Sequence, residues 1–116
     1  DKKVYRLTGD GRMSLLGALQ EPTESDKMRS DFLFRMLFAD ILPPAVVENM
    51  LDARLREIDT TIARMDARAQ NGFENVGEEF LNGFAATVQR AMADYIEENR
   101  YQLVASSLVP QRAVTE

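Results

Sequence analysis

The amino-acid sequence predicts a mainly α-helical protein, in which a short strand precedes a helical domain built on two long amphipathic helices. Two segments, about 45–70 and 74–107, carry apolar residues at helical steps of three and four. Pro43-Pro44 and Asn71-Gly72 separate these segments from their neighbours. Within 116 residues we expect a helical domain over 26–109, after the end of another domain over 1–21 and before a flexible tail over 110–116.

The N-terminal residues predict a strand followed by a short helix. Val4-Tyr5-Arg6-Leu7 alternates apolar and polar residues, which indicates a strand. A single strand needs a partner, and the chain starts with Asp1 rather than Met, so we expect further sequence upstream. Thr8 suits a helix N-cap, because its hydroxyl accepts a hydrogen bond from a free backbone N–H. A helix then follows that ends near Glu21-Pro22, with an apolar face formed by Met13, Leu15, Leu16 and Leu19.

The next segment predicts one helix from Lys27 to the Pro43-Pro44 stop, with Ser25 or Asp26 as its N-cap. Its apolar residues form a stripe with two flanks. The stripe consists of Met28, Phe32, Met36 and Ala39, and the flanks of Leu33, Leu37 and Ile41.

The two long helices carry the expected seam. In the first, Leu51, Leu55, Ile58, Ile62 and Met65 continue a pattern that begins at Val47 and fits a heptad from Leu55 onward. Gly72 suits the left-handed position after it. In the second helix the apolar steps run from Phe73 to Tyr95, and the helix ends at Val109-Pro110. We expect a seam, between helices or between copies, made by Leu51, Leu55, Ile58, Ile62, Met65, Phe80, Phe84, Val88 and Tyr95.

A single copy of such a hairpin leaves apolar surface to be covered. Phe80, Phe84, Leu81 and Ile96 remain after one side of each helix is paired. A second copy in a two-fold homodimer is the simplest cover. The alternative is a compact four-helix monomer.

The composition argues against an enzyme. The chain has no Cys and no His, which excludes a thiol nucleophile and the usual zinc ligands and removes the commonest general base. We therefore expect no catalytic residues, no metal site and no cofactor. Apolar runs are too short for a membrane span and no signal peptide is visible, so we expect a cytoplasmic protein.

The charge is unevenly distributed. The net charge is −5, yet residues 1–12 carry four basic and two acidic side chains. The remainder carries ten basic and seventeen acidic side chains and would repel a phosphate backbone. Any contact with nucleic acid should therefore lie at the N-terminal end.

Two motifs resemble the PadR-like family of transcriptional regulators. The segment Val4 to Arg12 resembles the wing strand of that family's winged-helix domain, which reads Tyr-x-Leu-Thr-x-x-Gly-Arg. The segment Phe32 to Pro44 resembles the start of the family's C-terminal domain, which is also found in AphA-like virulence activators. The resemblance covers about residues 4 to 100.

The resemblance implies a regulator that binds operator DNA as a homodimer, through a winged helix-turn-helix that is mostly absent from these residues. It implies that Lys2, Lys3 and Arg6 contact the DNA backbone from the wing; the other interpretation is a solvated strand edge. It further implies a small aromatic effector, for which Phe80, Phe84 and Tyr95 are the candidate pocket, although packing is the commoner role of such residues. This family often carries a Trp late in its last helix, and the present chain has none.

The alternative function is a free-standing helical adaptor that binds other proteins through its seam and has no role on DNA.

Overall fold

The computed structural model describes residues 8–23, 25–26 and 30–108, with side chains up to 107. These residues form four α-helices and one 3-10 helix, and no strand occurs among them. This confirms the mainly α-helical prediction. The predicted wing strand at 4–7, the basic residues Lys2, Lys3 and Arg6, and the tail over 110–116 lie outside the described residues.

The first helix, α1 (Gly9–Leu19), begins where the sequence predicts. Thr8 is its N-cap, and the Thr8 Oγ1 accepts a hydrogen bond from the Gly11 N–H at 3.0 Å. The helix ends at a turn before Pro22. Its apolar side chains are exposed, with Met13 at 70% and Leu19 at 69%. Within the described residues, α1 therefore contributes nothing to the core.

The prediction of one continuous helix from Lys27 to Pro43 is wrong. Helix α2 covers only Asp31–Met36, and after a turn the chain forms a 3-10 helix over Ala39–Ile41. Phe38 leaves the helical region with φ −107° and ψ 18°. The break lets Ala39, which is 2% exposed, pack in the core, and the Ser107 hydroxyl donates a hydrogen bond to its carbonyl at 2.8 Å. Packing against the end of the last helix therefore outweighs helix propensity here.

The N-cap of α2 also differs from the prediction. Ser30, rather than Ser25 or Asp26, occupies that position, and its hydroxyl accepts a hydrogen bond from the Leu33 N–H at 3.1 Å. Ser25 and Asp26 lie in a non-helical link before it.

Two long helices form an antiparallel hairpin. Helix α3 covers Pro44–Gln70, with Pro44 in its first turn, and α4 covers Val76–Leu108. Gly72 has φ +77°, the left-handed conformation expected of the residue that ends α3. At about 1.5 Å per residue the two helices are about 40 and 50 Å long. The molecule is correspondingly elongated, with extents of 70 × 37 × 25 Å.

The core is small and lies between the hairpin and the 3-10 helix. Val47, Leu51 and Ile58 of α3 are buried, together with Ala39 and with Ala86 of α4. Partly buried apolar side chains surround the cluster of Ala39, Val47 and Leu51, namely Phe32, Met36, Leu42, Ile96, Leu103 and Val104. The core thus fixes α2 and the 3-10 helix to one end of the hairpin.

Candidate functional site

Helix α4 has an inner face that packs on α3. Residues along this face recur at steps of four and three, and Ala86, at 4% exposed, is its most buried member. The other members are half-buried. The inner face consists of Asn82, Ala86, Gln89, Ala93, Ile96, Arg100 and Leu103.

Polar side chains of the inner face and its edges bind α3 at several levels. Arg100 donates a hydrogen bond to Asp52 at 2.8 Å, and Arg90 pairs with Asp66 at 2.8 Å. The Asn82 side-chain amide donates to the Met65 carbonyl at 3.3 Å. These contacts repeat along the hairpin, so they fix the register of α4 against α3.

The ion pair between Arg100 and Asp52 also shifts the pKa of Arg100. The hydrogen bond to Asp52 raises the pKa of Arg100 above its ordinary value, and the nearby carboxylates of Glu97 and Glu48 act in the same direction. Burial opposes this effect. Arg100 therefore carries its positive charge throughout the neutral pH range.

At the hairpin tip, Arg68 connects the end of α3 to the start of α4. Its guanidinium pairs with Glu78, donates to the Gly72 carbonyl and lies over the Phe73 ring at 5.2 Å from the ring centroid. These partners lie in the connecting turn and in the first turn of α4, so Arg68 clamps the tip of the hairpin.

The opposite side of α4 carries an apolar stripe that faces solvent. Leu81 is 68% exposed, Phe84 60%, Val88 41% and Tyr95 68%, and Ala91 between them is also exposed. We call these five residues the outer stripe. They recur at steps of three and four, so they form one line along the helix. A large exposed apolar stripe on a folded chain marks an interaction surface.

Aromatic rings extend the outer stripe at both ends. Phe80, 71% exposed, stacks on Phe84 with ring centroids 6.1 Å apart. Tyr101, 80% exposed, lies beyond Tyr95 toward the end of α4. Aromatic side chains supply the largest apolar area per residue, which makes this face suited to a protein contact.

A groove opens beside the C-terminal half of the outer stripe. It has a volume of about 520 Å³ and lies between α2 and α4, with Arg54 of α3 at its edge. The Arg54 guanidinium lies over the Phe32 ring, 5.4 Å from its centroid. The remaining lining is almost entirely apolar and consists of Ser30, Leu33, Val88, Ala91, Met92, Tyr95 and Ile96.

The structure separates the predicted seam residues into two groups. On α3, Leu51 and Ile58 are buried, and Leu55, Ile62 and Met65 are half-buried. On α4, the four predicted members Phe80, Phe84, Val88 and Tyr95 face solvent instead of α3. Their role as a seam between copies stays a prediction.

Of the three residues predicted to line an effector pocket, the structure places one at the groove. Tyr95 lines it, whereas Phe80 and Phe84 lie further along α4 and do not. That Phe80 and Phe84 line an effector pocket together with Tyr95 stays a prediction.

Sequence reasoning missed the inner face of α4. Its heptad contains Asn82, Gln89 and Arg100, so it does not read as apolar and is masked by the more hydrophobic outer stripe. The available signal was charge complementarity, since Arg90 and Arg100 of α4 match Asp66 and Asp52 of α3 in antiparallel order.

Within residues 8–23, 25–26 and 30–108, no helix is both long and apolar enough to cross a membrane. In the same ranges, no group of three acidic side chains is arranged to hold a metal ion.

Together, the helical hairpin, the 3-10 helix at its end and the preceding α1 give this chain the fold of a PadR-like transcriptional regulator. The chain is similar to the crystal structure of a PadR-like transcriptional regulator from Bacillus cereus, with a TM-score of 0.75 and 23% sequence identity. The match covers 84% of this chain and 61% of the Bacillus cereus chain. No protein-family model and no curated protein matches the sequence.

Proposed function

We propose that this protein is a cytoplasmic DNA-binding transcriptional regulator of PadR type, and that the present chain supplies its homodimerisation and the sensing of a small aromatic effector. The observation that carries the proposal is the outer stripe of α4, which stays uncovered in a chain that shares the fold of a PadR-like regulator.

The size of the exposed surface supports a homodimer. The chain exposes 10316 Å², whereas a compact monomer of this mass exposes about 6,400 Å². Its radius of gyration is 21.2 Å, against about 13 Å for a compact chain of similar length. The excess area is several times the roughly 800 Å² that each partner buries in a standard interface.

The N-terminal residues would supply contact with operator DNA. We assign residues 1–21 to the end of a winged-helix domain, with Lys2, Lys3 and Arg6 contacting phosphates from the wing, and 26–109 to the dimerisation domain. The excess of basic charge over residues 1–12 supports this assignment, since the rest of the chain is acidic. The exposed apolar face of α1 is also what a helix shows when the domain it packs on is missing.

Effector sensing rests on the groove between α2 and α4. Its apolar lining, with the Tyr95 ring at one side, suits a small aromatic molecule. A phenolic ligand that binds there should raise the melting temperature at millimolar concentration. Tyr95→Ala should reduce the shift, and an unchanged melting temperature in the wild-type chain would remove this part of the proposal.

Light scattering after size exclusion tests the homodimer. We expect twice the chain mass of 13.1 kDa at micromolar concentrations. Phe84→Asp should yield a monomer with an unchanged helical circular dichroism spectrum, because it places a charge in the contact. Val76→Asp is the matched control, since Val76 is 80% exposed on the same helix and outside the outer stripe. A wild-type monomer would refute the dimer.

DNA binding is tested on the protein expressed from its whole gene. We expect a shifted band with the DNA upstream of that gene. Lys2→Ala with Lys3→Ala should weaken binding to all DNA sequences alike and flatten its salt dependence. Absence of any helix-turn-helix in the gene would favour the adaptor instead.

A further inference from the structure

We infer that α4 pairs with α4 of a second copy in antiparallel orientation about a two-fold axis near Gln89 and Arg90, with Phe84 of each copy against Tyr95 of the other. This inference rests on the proposed homodimer and specifies its geometry. It also places Phe84 of the second copy beside the groove between α2 and α4, so that both copies would line the effector site of the proposed function.

The spacing of the outer stripe determines which residues face one another. Leu81, Phe84, Val88, Ala91 and Tyr95 alternate steps of three and four, the pattern of a coiled-coil seam. In an antiparallel coiled coil, each a position of one helix faces a d position of the other. Here Leu81, Val88 and Tyr95 occupy a positions, and Phe84 and Ala91 occupy d positions. Pairing Val88 with Ala91 at the centre therefore sets Phe84 against Tyr95 on both sides of the axis.

The same register matches the aromatic rings next to the stripe. Phe80 lies about one turn before Phe84, and Tyr101 lies beyond Tyr95, so each Phe80 approaches Tyr101 of the other copy. Four strongly exposed aromatic side chains thereby become two kinds of reciprocal pair. Aromatic pairs of this kind add to the free energy of area burial.

Charge favours the antiparallel orientation over the parallel one. Glu98 lies on the line of the outer stripe, three residues after Tyr95. A parallel pair would set Glu98 of one copy against Glu98 of the other, which is unfavourable at close range. The antiparallel pair sets it beside Leu81 at the rim. Beside the seam, Thr87 then faces Asp94 and Met92 faces Ala85, so no like charges meet.

The groove lies where Phe84 of the second copy would approach Tyr95. Its α4 lining runs from Val88 to Ile96, which includes Tyr95, the partner of Phe84 in this register. Leu33 of α2, 50% exposed, forms the opposite wall. A Phe ring against Tyr95 would close one side of this groove of about 520 Å³ and leave room beside Leu33 for a small effector. The three residues predicted for an effector pocket would then meet across the interface rather than within one chain.

Disulfide trapping tests the geometry, because the chain contains no Cys that could interfere. Phe84→Cys and Tyr95→Cys chains are prepared separately, mixed under reducing conditions and then oxidised. We expect a mixed disulfide between the two variants. In the antiparallel pair, two copies of Phe84→Cys lie about 16 Å apart along the helix axis, beyond the reach of a disulfide.

Each other pattern of cross-links contradicts the inference in its own way. Efficient self-linking of Phe84→Cys would indicate a parallel pair. Linking of Phe84→Cys to Val88→Cys would indicate a register shifted by one heptad. A dimer by light scattering without any of these links would place the contact on another face and leave the homodimer intact. A monomer would instead remove the homodimer of the proposed function.

The first pair of variants removes the Phe84 and Tyr95 rings, which could itself abolish the contact, so a second pair keeps both rings. Phe80→Cys and Tyr101→Cys keep Phe84 and Tyr95 in place and should also form a mixed disulfide. Helical circular dichroism of each variant shows whether the chain is folded. Failure of both mixed disulfides in folded dimers overturns the inference.

Discussion

Arg100 of α4 donates a hydrogen bond to Asp52 of α3 across the hairpin, with 2.8 Å between Nη2 and Oδ1. The Arg100 side chain is only 22% exposed, so the pair is partly shielded from water. The two residues are 48 positions apart in sequence. This contact therefore reports directly on whether α3 and α4 are paired in the correct register.

Arg100→Ala should lower the free energy of unfolding by about 1 kcal/mol, through loss of a charged hydrogen bond and of the packed side-chain stem. Urea denaturation measures the change. The raised pKa of Arg100 means that its contribution is complete below the pKa of the unfolded chain and is lost only at strongly alkaline pH. The difference between variant and wild type should therefore stay constant across the neutral range.

Arg90→Ala is the matched control for Arg100→Ala. Its pair with Asp66 has the same length, but the two side chains are 51% and 57% exposed. Exposed pairs of this kind contribute about 0.2–1 kcal/mol or nothing measurable, so the loss should be smaller than for Arg100→Ala. Equal losses in the two variants would contradict the view that burial distinguishes them.

The sequence predicts most of the fold because the apolar pattern of α3 and the stops around it are strong. Pro44, Gly72 and Thr8 perform the roles expected of them. The break after Met36 could not be predicted, since it depends on Ala39 docking on α4. Local sequence does not encode that contact.

The sequence predicts the apolar residues of the candidate site on α4, but not the direction in which they face. Phe84 and Tyr95 stand out as an apolar line, but hydrophobicity alone does not say whether a line faces its own chain or another. Here Asn82 and Arg100 make up a less apolar face that nevertheless packs on α3, because specific polar contacts hold it there. Only the structure shows that the more apolar face remains exposed.

Leu51→Ala should be the most damaging truncation in α3. Leu51 is 1% exposed, and removing a buried leucine costs about 2–5 kcal/mol through lost burial and the cavity left behind. Leu37→Ala is the control, since Leu37 is 76% exposed and outside the outer stripe. Its effect should stay within about 0.5 kcal/mol. Similar denaturation midpoints for both variants would show that the core is misplaced.

Ser30→Ala should weaken the start of α2. The Ser30 hydroxyl accepts the Leu33 N–H, and loss of such a cap costs about 1 kcal/mol. Hydrogen exchange of the Leu33 amide measures the effect locally and should accelerate. Ser25→Ala should leave that exchange rate unchanged, because Ser25 lies outside the helix. If Ser25→Ala accelerates this exchange and Ser30→Ala does not, Ser25 is the N-cap, as the sequence predicts.

Two glycines separate backbone conformation from packing. A Cβ atom at Gly72 or at Gly83 would meet no other atom within 4 Å, yet only Gly72 has a positive φ, +77°. Gly72→Ala should therefore destabilise the chain by about 1 kcal/mol. Gly83→Ala, within α4, should stabilise it by about 0.5–1 kcal/mol. If both variants raise the melting temperature, or both lower it, the left-handed turn assigned to Gly72 is contradicted.

The outer stripe predicts that thermal stability depends on chain concentration. If Phe84 is covered only by a second copy, unfolding of the dimer releases two chains, and each tenfold dilution lowers its stability by about 1.4 kcal/mol per mole of dimer. The melting temperature of the wild-type chain should then rise with concentration, whereas that of Phe84→Asp should not. A wild-type melting temperature independent of concentration would mean that the exposed rings of α4 stabilise nothing through a second copy.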